Sequence, residues 1–168
     1  MSLLNSILKE INDVVSKVDE QSLFQAANEI SKEKRIFVLG EGRSGLMAKG
    51  FAMRLMHLGY IVYVVGETIT PSIDKNDLVI AVSGSGKSKN VVSDTQKAKE
   101  KGCRILVFTC NLNSPLANIS DVTVIVPGTV KDDLGSNRKS IQLLSSLFDQ
   151  SVHIVLDAVC LYLSKRDG

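Results

Sequence analysis

The chain has 168 residues, 44% of them hydrophobic, a formal charge of +2 and no tryptophan. That apolar share supports one core and one domain, and the charge is too small and too evenly spread to mark a nucleic-acid surface. No run of 18 apolar residues crosses a membrane, and the N-terminus is amphipathic and lacks a signal-peptide core. The three cysteines, Cys103, Cys110 and Cys160, stand in apolar contexts and read as reduced core thiols of a cytoplasmic protein, not as disulfides or a zinc site.

In chain order, residues 3–18 place Leu4, Ile7, Leu8, Ile11, Val14, Val15 and Val18 on one stripe at helical spacing. A second helix over 20–32 turns Leu23, Phe24, Ala27 and Ile30 inward. These two helices, about 3–32, carry an apolar face that the domain, each other or a second subunit must cover. A βα rhythm follows. Strands are expected at Arg35–Leu39, Tyr60–Val65, Leu78–Ser83, Arg104–Thr109 and Val122–Val126, with helices over 44–58 and 88–101 and a short one within 111–119. Gly59 and Gly102 stand just past the two long helices, where a left-handed residue closes them. Residues 127–142 are polar, longer than a usual connection, and read as mobile or as part of a site. A last helix runs from Leu143 to Ser164. Strands alternating with helices predict an α/β fold: a three-layer α-β-α sandwich on a five-stranded parallel sheet, with 1–168 as one domain.

Two loops carry the chemistry. Gly40-x-Gly42-x-x-Gly45 lies between a strand and a helix and matches a dinucleotide fingerprint, with Glu67 about where a ribose-binding acid belongs. Five strands leave no room for a second half, however, and a second phosphate-type loop follows the third strand. That loop, Ser83-Gly84-Ser85-Gly86-Lys87-Ser88, combines hydroxyls, glycines and a helix N-terminus, the groups that hold a phosphate. It nearly spells a P-loop, but Ala81 replaces the first glycine and no strand ends in a magnesium-binding Asp, which argues against a nucleotide triphosphatase. In a doubly wound sheet the crevice at the strands' carboxyl ends brings Gly42-Arg43-Ser44 against Ser83–Ser88, giving a phosphate pocket with an Arg beside it.

The runs GRSGLMAK (42–49) and FAMRLMHLG (51–59), followed by Ser83-Gly84-Ser85-Gly86, closely resemble the sugar isomerase (SIS) domain, and within it the 6-phospho-3-hexuloisomerases. Val65-Gly66-Glu67 and Ser146-Leu147-Phe148 fit the same pattern. The resemblance implies a flavodoxin-like SIS fold, a homotetramer, and no metal or organic cofactor. It implies interconversion of 3-hexulose 6-phosphate and fructose 6-phosphate through a 2,3-enediol, in formaldehyde fixation by the ribulose monophosphate route. Carried over, Ser83, Ser85 and Ser88 bind the phosphate with the N–H groups of Gly84 and Gly86, while Gly42, Arg43 and Ser44 line the sugar end. The family's base is a Glu in a Leu-Phe-Glu context; here that position is Asp149, one methylene shorter. A base misplaced by about 1 Å loses on the order of 100-fold. The family also continues into a His-bearing tail, which these residues, ending at Gly168, do not include. The alternative is a non-catalytic SIS module that binds a phosphosugar as a sensor.

Other residues have plainer readings. Asp149, His153 and Asp157 recur at i, i+4 and i+8, but with no third His or Cys they read as interface or solvent-face residues and not as a metal site. His57 suits a helix C-terminus, and Arg54 suits an ion pair. Lys87 stands where related loops carry an acid, and either strengthens anion binding or is solvated. Glu67 either faces the crevice or belongs to a surface turn before Pro71.

Overall fold

A computed structural model describes residues 2–128 and 140–168. Strands β1 (Arg35–Leu39), β2 (Ile61–Val64), β3 (Leu78–Val82), β4 (Arg104–Thr109) and β5 (Val122–Ile125) form one sheet in the order β2-β1-β3-β4-β5, with every pairing parallel. Helices α1 (Leu3–Val15), α2 (Glu20–Glu29), α3 (Gly42–His57), α4 (Lys89–Glu100), α5 (Pro115–Asn118) and α6 (Ser146–Asp167) complete the described elements. The three-layer sandwich expected from the sequence is therefore the observed one. The expectation for 127–142 falls mostly on residues 129–139, which lie outside the described residues.

The period-2 geometry of a strand sorts the core into two layers. Ile36, Val38, Ile80, Val82 and Phe108 point to one face, under α1, α2, α3 and α6. Phe37, Leu39, Val79, Ala81 and Val107 point to the other, under α4 and α5. The N-terminal helices contribute Ile11, Val14, Leu23, Ala26 and Ile30 to the first layer. By length and composition α6 could cross a membrane, with a mean hydropathy of 1.3 over its most apolar window. In the fold its residues Val152, Leu156, Val159 and Leu163 are instead buried in that first layer, which makes it a core helix.

Polar clamps fix how these elements enter and leave the sheet. Arg166, near the end of α6, donates to the carbonyls of Ala27 and Ile30 and to Tyr60 Oη, closing the exposed carbonyl end of α2. Tyr60 Oη also donates to Asp167; burial and that neighbouring carboxylate push the phenol up to about 12. The Glu10 carboxylate of α1 accepts from Ser140 Oγ, the Ile141 N–H and Gln142 Nε2 at 2.9–3.0 Å, tying α1 to the segment that leads into α6. Burial opposes the Glu10 charge, but the three donors outweigh it and hold the carboxyl below its ordinary value.

Arg35 opens β1, and Asp77 immediately precedes β3. Arg35 Nε and Nη2 reach the two Asp77 oxygens at 2.9 and 2.6 Å, and the Asp74 N–H adds a third donor. Asp77 is buried and Arg35 half-buried. Burial raises the Asp77 carboxyl, the Arg35 fork and the Asp74 N–H lower it, and the net shift is downward. A carboxyl depressed in the folded state stabilises at pH values above its ordinary value, and the contribution is lost as pH falls through the depressed one. Asp77→Asn is therefore expected to lower unfolding free energy by about 2 kcal/mol at pH 7. In urea titrations the gap between wild type and variant should narrow below about pH 4. A gap that stays constant to pH 2.5 would contradict the assignment.

Candidate active site

The site begins with two glycines. A Cβ on Gly45 would stand 2.7 Å from the Gly40 carbonyl oxygen, and one on Gly40 2.9 Å from the carbonyl oxygen of Val82. The fingerprint spacing thus lets the first turn of α3 lie directly against the ends of β1 and β3. The Ser/Gly loop after β3 is pinned from the other side. The Gly84 carbonyl accepts from the Cys110 N–H at 3.0 Å and from Thr109 Oγ1 at 3.1 Å, and the Gly86 carbonyl accepts from the Leu116 N–H at 3.1 Å. Gly86 takes a left-handed φ of 68°, and a Cβ there would fall 2.1 Å from Ser114 Oγ. Only glycine fits that corner.

Between the two loops opens a cavity of about 320 Å³, lined by Glu41, Gly42, Arg43, Ser44, Ser83, Gly84, Ser85, Ser88, Leu144 and Ser145. The sequence-derived binding residues Gly42, Arg43, Ser44, Ser83, Gly84, Ser85 and Ser88 all border it. Gly86 does not. Its N–H donates to Ser83 Oγ at 3.1 Å, so it shapes the loop from below. The Lys87 N–H similarly donates to Ser85 Oγ at 3.1 Å, while the Lys87 side chain is exposed. Both serine hydroxyls accept from the backbone, and each keeps its own proton to donate into the cavity. Beside them, Ser88 occupies the N-cap position of α4, whose first N–H groups and dipole favour an anion. Glu67 lies in an exposed turn, with its N–H donating to the Val64 carbonyl, and does not border the cavity.

The opposite wall is a corner where α3 and α6 start side by side. Arg43 Nη1 donates to Ser146 Oγ at 2.7 Å. Asp149 Oδ1 accepts from Ser44 Oγ at 2.6 Å, and Oδ2 accepts from Ser145 Oγ at 2.9 Å. The Asp149 carboxylate is fully buried and does not itself line the cavity; the hydroxyls of Ser44 and Ser145 stand between. This corrects the reading of Asp149 as an interface or solvent-face residue alongside His153 and Asp157. Those two are exposed, but Asp149 in the first turn faces α3. Leu144, just ahead of α6, adopts a φ of 45°, a conformation that costs a non-glycine residue about 1–3 kcal/mol.

Glu41, Leu144 and Ser145 are cavity residues that the sequence expectations did not include. Ser145 could have been found from its spacing, since a residue four before a helical Asp lies on the same face. Glu41 offered no such signal.

A family model described as SIS domain matches residues 29–154. The 3-hexulose-6-phosphate isomerase of Mycobacterium gastri is 44% identical over 93% of this chain and 78% of its own length. The 3-hexulose-6-phosphate isomerase of Bacillus subtilis is 39% identical over 96% of this chain and 88% of its own. Among solved structures, a hypothetical protein from Methanococcus jannaschii, described as inferring a molecular function of 3-hexulose-6-phosphate isomerase, superposes with a TM-score of 0.81 at 33% identity, covering 97% of this chain and 89% of its own. With both cavity loops and the first turns of α6 inside the matched region, the chain belongs to the SIS domain family.

Proposed function

We propose that the protein is a sugar phosphate isomerase that interconverts 3-hexulose 6-phosphate and fructose 6-phosphate. The observation that carries this reading is the pairing, across one cavity, of a hydroxyl-rich helix N-terminus with a buried carboxylate held by two wall serines. The identity of about 40% to two proteins named for that activity supports it. In this proposal the phosphate sits on Ser83, Ser85, Ser88 and the start of α4, with Gly84 giving close backbone approach. Arg43 and Ser44 meet the sugar oxygens.

The reaction moves one proton between adjacent carbons. A base takes the proton from C2 of the 3-ketose; the C2–H electron pair forms the C2–C3 double bond and the C3 carbonyl oxygen gains a proton, giving the 2,3-enediol. Return of a proton to C3 and loss of the O2 proton yields the 2-ketose. Asp149 is the proposed base. When the Ser44 and Ser145 hydroxyls turn to substrate oxygens, they release the carboxylate they now occupy. Arg43 steadies the charge that develops on the oxygens. The chemistry is redox-neutral overall, and the donors and acceptors it uses are side chains of this chain. The reading takes 1–168 as one SIS unit working in the cytoplasm.

Feeding 3-hexulose 6-phosphate to the purified protein and following fructose 6-phosphate in a coupled assay is expected to show turnover. Binding without product would instead mark a phosphosugar sensor. Asp149→Asn is expected to lower kcat by about 10²- to 10⁴-fold while fructose 6-phosphate still binds; full activity in that variant would remove Asp149 from the role of base.

A homotetramer is also proposed. Support comes from apolar side chains left exposed on α1 (Leu3, Leu4, Leu8), on α3 (Leu46, Met53, Met56) and on α6 (Ile154, Leu161). Light scattering at micromolar concentration should give four copies of the 18.2-kDa chain, and a monomer would contradict it.

A further inference from the structure

Among the described residues, Glu41 is the one acidic side chain bordering the cavity. It stands at the N-cap of α3 yet makes no capping bond to its own helix. Its carboxylate instead crosses to the other loop and accepts from Ser88 Oγ at 2.9 Å. Ser88 likewise makes no cap bond to α4, and its proton is given to Glu41. The hydroxyl best placed to meet an anion at the start of α4 is therefore already engaged by an anion.

A hydroxyl has one proton to donate, so Glu41 and a phosphate oxygen cannot both receive it. Two negative groups sharing one hydroxyl also repel each other. Glu41 is exposed and borders a second cavity of about 280 Å³, formed with Gly40, Gly66, Asn90 and Asp94, so the side chain has room to leave without a change in backbone. We propose that Glu41 is a competitor built into the phosphate pocket: it holds Ser88 in the free protein, is displaced when a phosphorylated ligand enters, and so sets how tightly the site binds phosphate. The inference rests on the phosphate assignment of the Ser83–Ser88 loop. It makes Glu41 an affinity-setting residue that acts through Ser88 and favours release of the phosphorylated product.

The test is calorimetric titration of inorganic phosphate and of fructose 6-phosphate into wild type, Glu41→Gln, Ser88→Ala and the double variant. Glu41→Gln keeps the shape and removes the charge, and is expected to tighten both ligands by about tenfold. The gain should shrink several-fold in the Ser88→Ala background, where nothing holds Glu41 in the pocket. Unchanged or weaker binding in Glu41→Gln, with wild type binding normally, overturns the competitor role and leaves the phosphate site standing. A kcat loss of 100-fold or more in Glu41→Gln at unchanged affinity overturns it too, and makes Glu41 a proton-transfer group. Wild type that binds neither ligand overturns the inference together with the phosphate assignment.

Discussion

Strand β3 has no face on water. All five of its side chains, Leu78 to Val82, are fully buried, with β1 and β4 hydrogen-bonded along its two edges. A strand in that position requires helices over both faces, and the right-handed βα crossovers that supply them put α3 and α4 at its carboxyl end. The chain must turn sharply there, with no space for side chains. Gly40, Gly45 and Gly86 are the consequence: each fills a corner where a Cβ would strike backbone or a neighbouring serine. The cavity is thus a by-product of burying β3 well. It opens where the sheet order reverses, between the loops that follow β1 and β3.

A buried carboxylate is the other constraint. Asp149 is fully buried, which is costly for an ionisable group unless its oxygens are satisfied. Ser44 from α3 and Ser145 from the turn before α6 satisfy one oxygen each, and Arg43 to Ser146 adds a third tie between the same two helix starts. The network that makes the burial tolerable also fixes the wall of the cavity, and so structural and chemical roles fall on the same hydroxyls. On the opposite wall Ser83 and Ser85 accept from backbone N–H groups and keep their own protons, while Ser88 gives its proton to Glu41.

Much of this was legible in the chain. Strands Arg35–Leu39 and Arg104–Thr109 have the limits that their apolar runs suggest, because a charged residue opens each and a loop residue ends each. Helices α1 and α2 start where expected but end three residues early, and the departures that matter for the site are at two other helix starts. Helix α3 begins at Gly42, two residues before the expected Ser44, because a glycine read as loop opens the helix with a φ of 58°. Helix α6 begins at Ser146, three residues after the expected Leu143. Leu143 and Leu144 look like the start of an apolar helical face, but both are exposed, and Leu144 is held in a left-handed turn. The far end extends to Asp167, where Arg166 and Asp167 are engaged with α2 and Tyr60, partners more than 100 residues away that local patterning does not reveal. Glu41 was hidden for the same reason. It reads as a variable position inside a glycine motif, and its meaning depends on Ser88, 47 residues later.

The measurement that tests the account most directly is exchange of the C3 proton of fructose 6-phosphate with solvent, followed by NMR in D₂O. A carbon proton held on a side-chain base exchanges in part with solvent before it returns through the enediol. Wild type is therefore predicted to wash deuterium into C3, and Asp149→Asn to bind the same sugar with exchange slowed by about 10²-fold or more. Undiminished exchange in Asp149→Asn, with the sugar still bound, would contradict the proposal that this buried carboxylate carries the proton.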